Sequence, residues 1–167
     1  HIPFLVVVFA LAALAYWLHR SWRLAAFVVI AFLFIANLGY WNGAGTDANW
    51  STTANWNGTA PVTGDVLIFR KAGDGGATLN NNLSSPSSFA SLQFDSGAPA
   101  FVLNGNAITL TGDGPGKTII VNNSEATQTV GMNIALGTDG KIDAAAGDIA
   151  VGGNISGDGY GLTKIGD

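Results

Sequence analysis

Two different hydrophobic patterns divide this chain. Phe4 to Leu18 is an unbroken run of fifteen apolar or aromatic residues, and Leu24 to Ala36 is another of thirteen, continuing through Asn37-Leu38 to Gly39-Tyr40. His19-Arg20-Ser21-Trp22-Arg23 lies between them. Neither run has a polar face at helical spacing, so each predicts a helix buried on every side, in protein or in lipid. A helical hairpin over residues 1–40, turning at the charged break with both arginines cytoplasmic, satisfies the positive-inside rule. Trp17, Trp22, Tyr40 and Trp41 then fall at the headgroup level. One unbroken helix from Pro3 to Tyr40 would put two arginines at mid-depth, which is costly in lipid. A signal peptide normally carries its charges before the apolar run, and here they follow it.

From Val66 onward the pattern changes to short bursts in which apolar and polar residues alternate. Examples are Ser91–Asp95, Ala107–Thr111, Val130–Leu136 and Asp148–Gly152. Period-2 alternation rich in Ile, Val, Thr and Phe predicts half-buried strands. Turn formers separate the bursts, among them Asp74-Gly75-Gly76, Asn104-Gly105-Asn106, Thr138-Asp139-Gly140 and Gly157-Asp158-Gly159. Strands this short and frequent fit a parallel β-solenoid, with a β-sandwich as the alternative. The side chains are mostly small, and few large aromatics follow Phe101 to fill a broad core, which favours the solenoid. Asn80-Asn81-Asn82 and Asn122-Asn123 suit corners where amides ladder between coils.

Composition sharpens the division. Residues 1–40 hold two arginines, no acid and one glycine, whereas residues 41–167 hold five Lys or Arg against eleven Asp or Glu, a net charge of −6. With 11% charged residues and no basic cluster, nucleic-acid binding is excluded. The absence of cysteine excludes disulfides, thiolate metal sites and cysteine nucleophiles. The expected organisation is a hydrophobic transmembrane hairpin (1–40), a Trp-rich capping segment (41–65) and a β-solenoid (66–167). The chain begins with His and stops in mid-pattern at Gly166-Asp167, which reads as a piece of a longer protein.

Two resemblances overlay this reading. Ser21-Trp22-Arg23-Leu24-Ala25 through Ile35-Ala36-Asn37-Leu38-Gly39-Tyr40-Trp41 resembles the N-terminal membrane helices of glycine-betaine/proline-type ABC transporter permeases. In that family the pattern leads into further membrane helices; here it meets Asn42-Gly43-Ala44-Gly45, and no coupling or substrate segment follows. Trp41 through Ser51, Ala54-Asn55-Trp56, Pro61 and Gly64-Asp65 resemble the opening module of bacterial surface proteins built from autotransporter-associated β-strand repeats. Gly153 through Gly166 resembles the repeat itself. That likeness implies a right-handed parallel β-solenoid passenger presented at or beyond the cell surface. The join of the two at Trp41 raises a chimera as an alternative.

Trp41, Trp50 and Trp56 fall within sixteen residues ahead of the strand array. A solenoid needs a cap over its first coil, so the expectation is that these indoles close that end. The rival reading is an exposed platform for sugar rings. Gly112-Asp113-Gly114-Pro115-Gly116-Lys117-Thr118 mimics a P-loop, but it leads into β-branched Ile119-Ile120-Val121 where phosphate binding needs a helix. Asp139 with Asp143, or Asp95 with Asp113, are candidate glycosidase dyads, although acids beside glycine are more simply turn residues. The expectation is therefore no catalytic, cofactor or metal residue, and no enzyme. The function expected is a structural or adhesive surface module, membrane-anchored through residues 4–40, with the β part outside the cytoplasm. Its partners would be membrane lipid, a surface glycan or protein ligand, and other copies of itself. A pilin-like filament subunit and a truncated permease are the alternatives.

Overall fold

The computed structural model describes residues 38–114 and 116–166, together with Ala13, Trp17, Arg23 and Ala26, which are helical. The expected membrane hairpin over residues 1–40 otherwise lies outside the described residues. Among those residues no helix is long and apolar enough to cross a membrane. The last part of the expected hairpin is not helix: Leu38–Trp41 forms strand β1. The chain divides into two compact units, His1–Leu38 and Gly39–Asp167.

The second unit is a parallel β-solenoid. After β1 and a 3-10 turn at Thr53–Trp56, thirteen strands follow: β2 (Val66–Phe69), β3 (Thr78–Asn81), β4 (Ser87–Phe89), β5 (Ser91–Phe94), β6 (Val102–Gly105), β7 (Ile108–Leu110), β8 (Lys117–Asn122), β9 (Gln128–Val130), β10 (Ile134–Leu136), β11 (Gly140–Asp143), β12 (Ile149–Val151), β13 (Ile155–Ser156) and β14 (Leu162–Ile165). They build three sheets, ordered β1-β2-β5-β8-β11-β14, β3-β6-β9-β12 and β4-β7-β10-β13. Each coil thus contributes one strand to each sheet, giving four full coils and the first strand of a fifth. Every pairing among β2–β14 is parallel. That pairing rules out the sandwich alternative and the antiparallel head of a pilin-like subunit.

Stacked inward columns hold the coils together. In the first sheet Leu67, Leu92, Ile120 and Ile142 lie in register, and all are buried. In the third, Ile108 and Ile134 stack directly and are each only 2% exposed. Phe69 stacks on Phe94 with centroids 5.3 Å apart, and Phe101 packs against both. Further along, the core turns aliphatic through Val130, Met132 and Ile142. Removing such side chains from water stabilises by about 1.5–3 kcal/mol each.

One strand expectation and one corner expectation need correction. Val130–Leu136 is not one strand but the end of β9, a corner at Gly131-Met132-Asn133, and β10. Met132 is buried at that corner, so the apolar alternation continues through the bend and hides it. The amide ladders are also mostly bonds to backbone. Asn80 Nδ2 does donate to Asn49 Oδ1 (2.9 Å). Asn81 Nδ2 donates to Asn106 O (2.8 Å), and Asn122 Nδ2 donates to Ala126 O and Asp148 O (2.9 and 3.0 Å). The bonds to Asn49, Asn106 and Asp148 tie one coil to the next, and the one to Ala126 closes the corner within a coil.

Candidate functional site

The best-organised chemistry among the described residues sits at the first coil. Trp41, Trp50 and Trp56 are 0%, 0% and 3% exposed. Trp56 makes edge-to-face contacts with Trp41 at 5.2 Å and with Trp50 at 5.8 Å, both at 85°. Trp50 and Trp56 then reach Phe69, and Trp50 reaches Phe89, carrying the aromatic layer onto the first coil. The indoles are a plug. None presents a face to solvent, so they cannot serve as a platform for sugar rings.

A polar hub beneath the plug holds the loop in place. Asn55 is fully buried. Its Oδ1 accepts the Gly45 N–H (2.8 Å), and its Nδ2 donates to Asp47 O (3.0 Å), Asp47 Oδ1 (3.2 Å) and Asn49 O (3.1 Å). Asp47 also accepts the Asn49 N–H, the Asn49 amide and the Thr52 hydroxyl. Donation by the Asn49 backbone N–H first, and by the Thr52 hydroxyl second, holds the Asp47 carboxyl below its ordinary range. Gly43, with φ +62°, lies so close to Ala72 that a Cβ there would strike the carbonyl. The spacing of Trp41, Gly43, Gly45, Asp47, Asn49, Trp50, Asn55 and Trp56 is therefore the cap itself.

Asp65, 4% exposed, closes the turn ahead of β2. Its Oδ2 accepts the Val62 N–H (2.9 Å), while its Oδ1 has no hydrogen-bond partner. Desolvation pushes its carboxyl above the ordinary 3.8, and the Val62 bond offsets this only in part. A raised folded-state pKa favours the folded form while the acid stays protonated. That contribution is lost as pH rises from the ordinary carboxylate range through the raised value. Asp65→Asn keeps an acceptor for Val62 and carries no charge. Relative to the parent, its melting temperature should rise as pH increases from 4 toward neutrality, and a variant tracking the parent at every pH would refute this.

The first sheet also carries a groove of about 470 Å³ at the capped end, lined by Tyr40, Trp41, Asn42, Asn57, Arg70 and Lys71. Arg70 lies 4.2 Å above the Tyr40 ring and pairs through Nε with Asp95 Oδ2 at 2.5 Å.

The remaining candidate chemistry does not assemble. Lys117 opens β8, a strand and not a helix, so no helix N-terminus faces phosphate there. Asp139 precedes β11 and Asp143 ends it, so the two lie along one strand, about 13 Å apart in backbone at ~3.3 Å per residue, and do not pair across coils. Asp139 Oδ1 accepts the Gly161 N–H and Asp143 Oδ1 the Ala145 N–H, as turn acids do. Asp95 is held by Arg70 at the far end of β5, while Asp113 sits in the turn that precedes β8. Among the described residues no three His, Asp or Glu side chains gather as a metal site. Sequence reasoning missed the Tyr40–Arg70–Asp95 arrangement, because register alone brings those three positions together. The chain matches no protein-family model, no curated protein and no solved structure.

Proposed function

We propose that this chain is a non-enzymatic, surface-presented β-solenoid module with a structural or adhesive role, tethered to a membrane by its apolar N-terminal segment. The observation that carries the reading is the parallel ladder itself, plugged at its first coil by three buried indoles. A stack of coils that share columns and corner bonds is stiff and offers few extended loops to proteases, properties suited to a spacer. The likeness to autotransporter-associated repeats supports export, and the hub explains its signature residues: Asn55 and Asp47 hold the loop, and Gly43 permits its close approach. The two apolar runs before Leu38 support tethering, since neither has a polar face.

Location is testable because the chain has no cysteine. Thr129→Cys places one thiol on the outer side of β9, where Thr129 is half-buried between inward Gln128 and Val130. Intact cells expressing this variant should label with a membrane-impermeant maleimide as fully as lysed cells. Labelling only after lysis would overturn the surface assignment.

A further inference from the structure

We propose that the groove at the capped end binds an acidic saccharide, with Arg70 and Lys71 receiving a uronate carboxylate. The inference adds a ligand class to the adhesive reading and rests on the groove's own geometry.

Phe69 pairs with Phe94 in register, which places Arg70 directly beside Asp95 one coil further on. The Arg70 guanidinium is held between the Tyr40 ring at 4.2 Å and the Asp95 carboxylate at 2.5 Å. Only Nε is used by Asp95, so the forked Nη donors stay available in a fixed orientation. A planar, pre-positioned guanidinium matches a carboxylate better than a mobile ammonium does. Lys71 follows at once and lines the same groove. In a β part with a net charge of −6, these are the only two of its five cations adjacent in sequence; Lys117, Lys141 and Lys164 are spread over β8, β11 and β14.

The other lining groups point to a sugar rather than a bare anion. Asn42 and Asn57 supply amides suited to hydroxyl groups, and Asn57 is held at the corner by its left-handed backbone, φ 61°. The Asn42 amide oxygen already accepts the Ala44 N–H (2.9 Å), which leaves its NH₂ as a donor. Trp41 closes the groove from beneath and, being fully buried, offers no donor to a ligand. The groove is thus rich in donors, beside one aromatic ring, and its volume of about 470 Å³ suits a few sugar units.

The test is calorimetric titration of the full chain in detergent micelles with tri-galacturonate, its methyl ester as the neutral counterpart, and inorganic phosphate. Tri-galacturonate should bind with a dissociation constant of about 1 mM or tighter. The methyl ester should bind at least tenfold more weakly. Arg70→Gln and Lys71→Gln should each cause a similar loss while keeping the parent's melting temperature, and Lys141→Gln, on β11, should bind as the parent does. The proposal fails if the ester binds equally, if Lys141→Gln loses as much as Lys71→Gln, or if nothing binds. Phosphate competing as strongly as the trisaccharide would reduce the groove to an anion site and overturn the saccharide assignment. Thiol labelling at Thr129 reads location alone, so either result can fail while the other stands.

Discussion

Trp50→Ala should lower the stability of the β unit by about 3–5 kcal/mol, the range for deleting a large buried aromatic, with partial opening of the first coil. Trp50 is fully buried and touches Trp56, Phe69 and Phe89, so truncation leaves a void bounded by rings that cannot all shift inward together. The comparison with Trp50→Phe is the informative one. The Trp50 Nε1–H reaches no acceptor, so the indole already carries a desolvation cost of order 1–3 kcal/mol that phenylalanine would not. Phenylalanine retains most of the edge contacts, and its expected loss is below about 1.5 kcal/mol, since relief of that cost offsets part of the lost volume. Thermal unfolding of the full chain, followed by β-sheet ellipticity, measures both. If the alanine variant melts with the parent, the indoles are not closing the solenoid.

Asn55→Ala should cost a comparable amount for a different reason. The substitution strands the buried Gly45 N–H and takes the amide donor from the half-buried Asp47 carbonyl, while the Asn49 carbonyl keeps the Thr52 N–H. A stranded buried group costs about 1–3 kcal/mol, so one buried and one half-buried group together cost about 2–4 kcal/mol. Asn55→Asp separates the amide's shape from its donors. The carboxylate keeps an acceptor for Gly45 but turns oxygens toward the Asp47 carboxylate and two carbonyls. It should therefore destabilise at least as much as alanine at neutral pH and less in acid, where both carboxyls are protonated. Urea unfolding at two pH values decides the point; an aspartate variant as stable as the parent would mean that the amide's donors do not hold the loop.

The class of fold was legible because small strands between Gly, Asn and Asp corners leave few alternatives to a stacked coil. The three tryptophans ahead of the strand array left two readings open, a plug and an exposed sugar platform, and their burial at 0%, 0% and 3% decides for the plug. What escaped was everything set by register. Gly131 and Asn133 are corner formers, but the bend they make in Val130–Leu136 is masked because Met132 is buried and keeps the apolar alternation unbroken, just as a strand residue would. Leu38–Trp41 reads as the tail of an apolar helix, yet it enters the first sheet next to β2. Its hydrophobicity suits either environment, and pairing with the edge of β2 decides between them. The groove escaped because Tyr40, Arg70 and Asp95 are 30 and 25 residues apart in sequence and meet only when coils stack.

The unequal coils have a mechanical corollary. Leu67, Leu92, Ile120 and Ile142 are vertical neighbours separated by 25, 28 and 22 residues. Tension entering at β1 would load the ladder one strand at a time, peeling turns in order instead of shearing the whole stack. Each released turn would pay out about 75–100 Å of slack at ~3.4 Å per residue, so a rod that holds its length under small loads would act as a stepwise shock absorber under large ones.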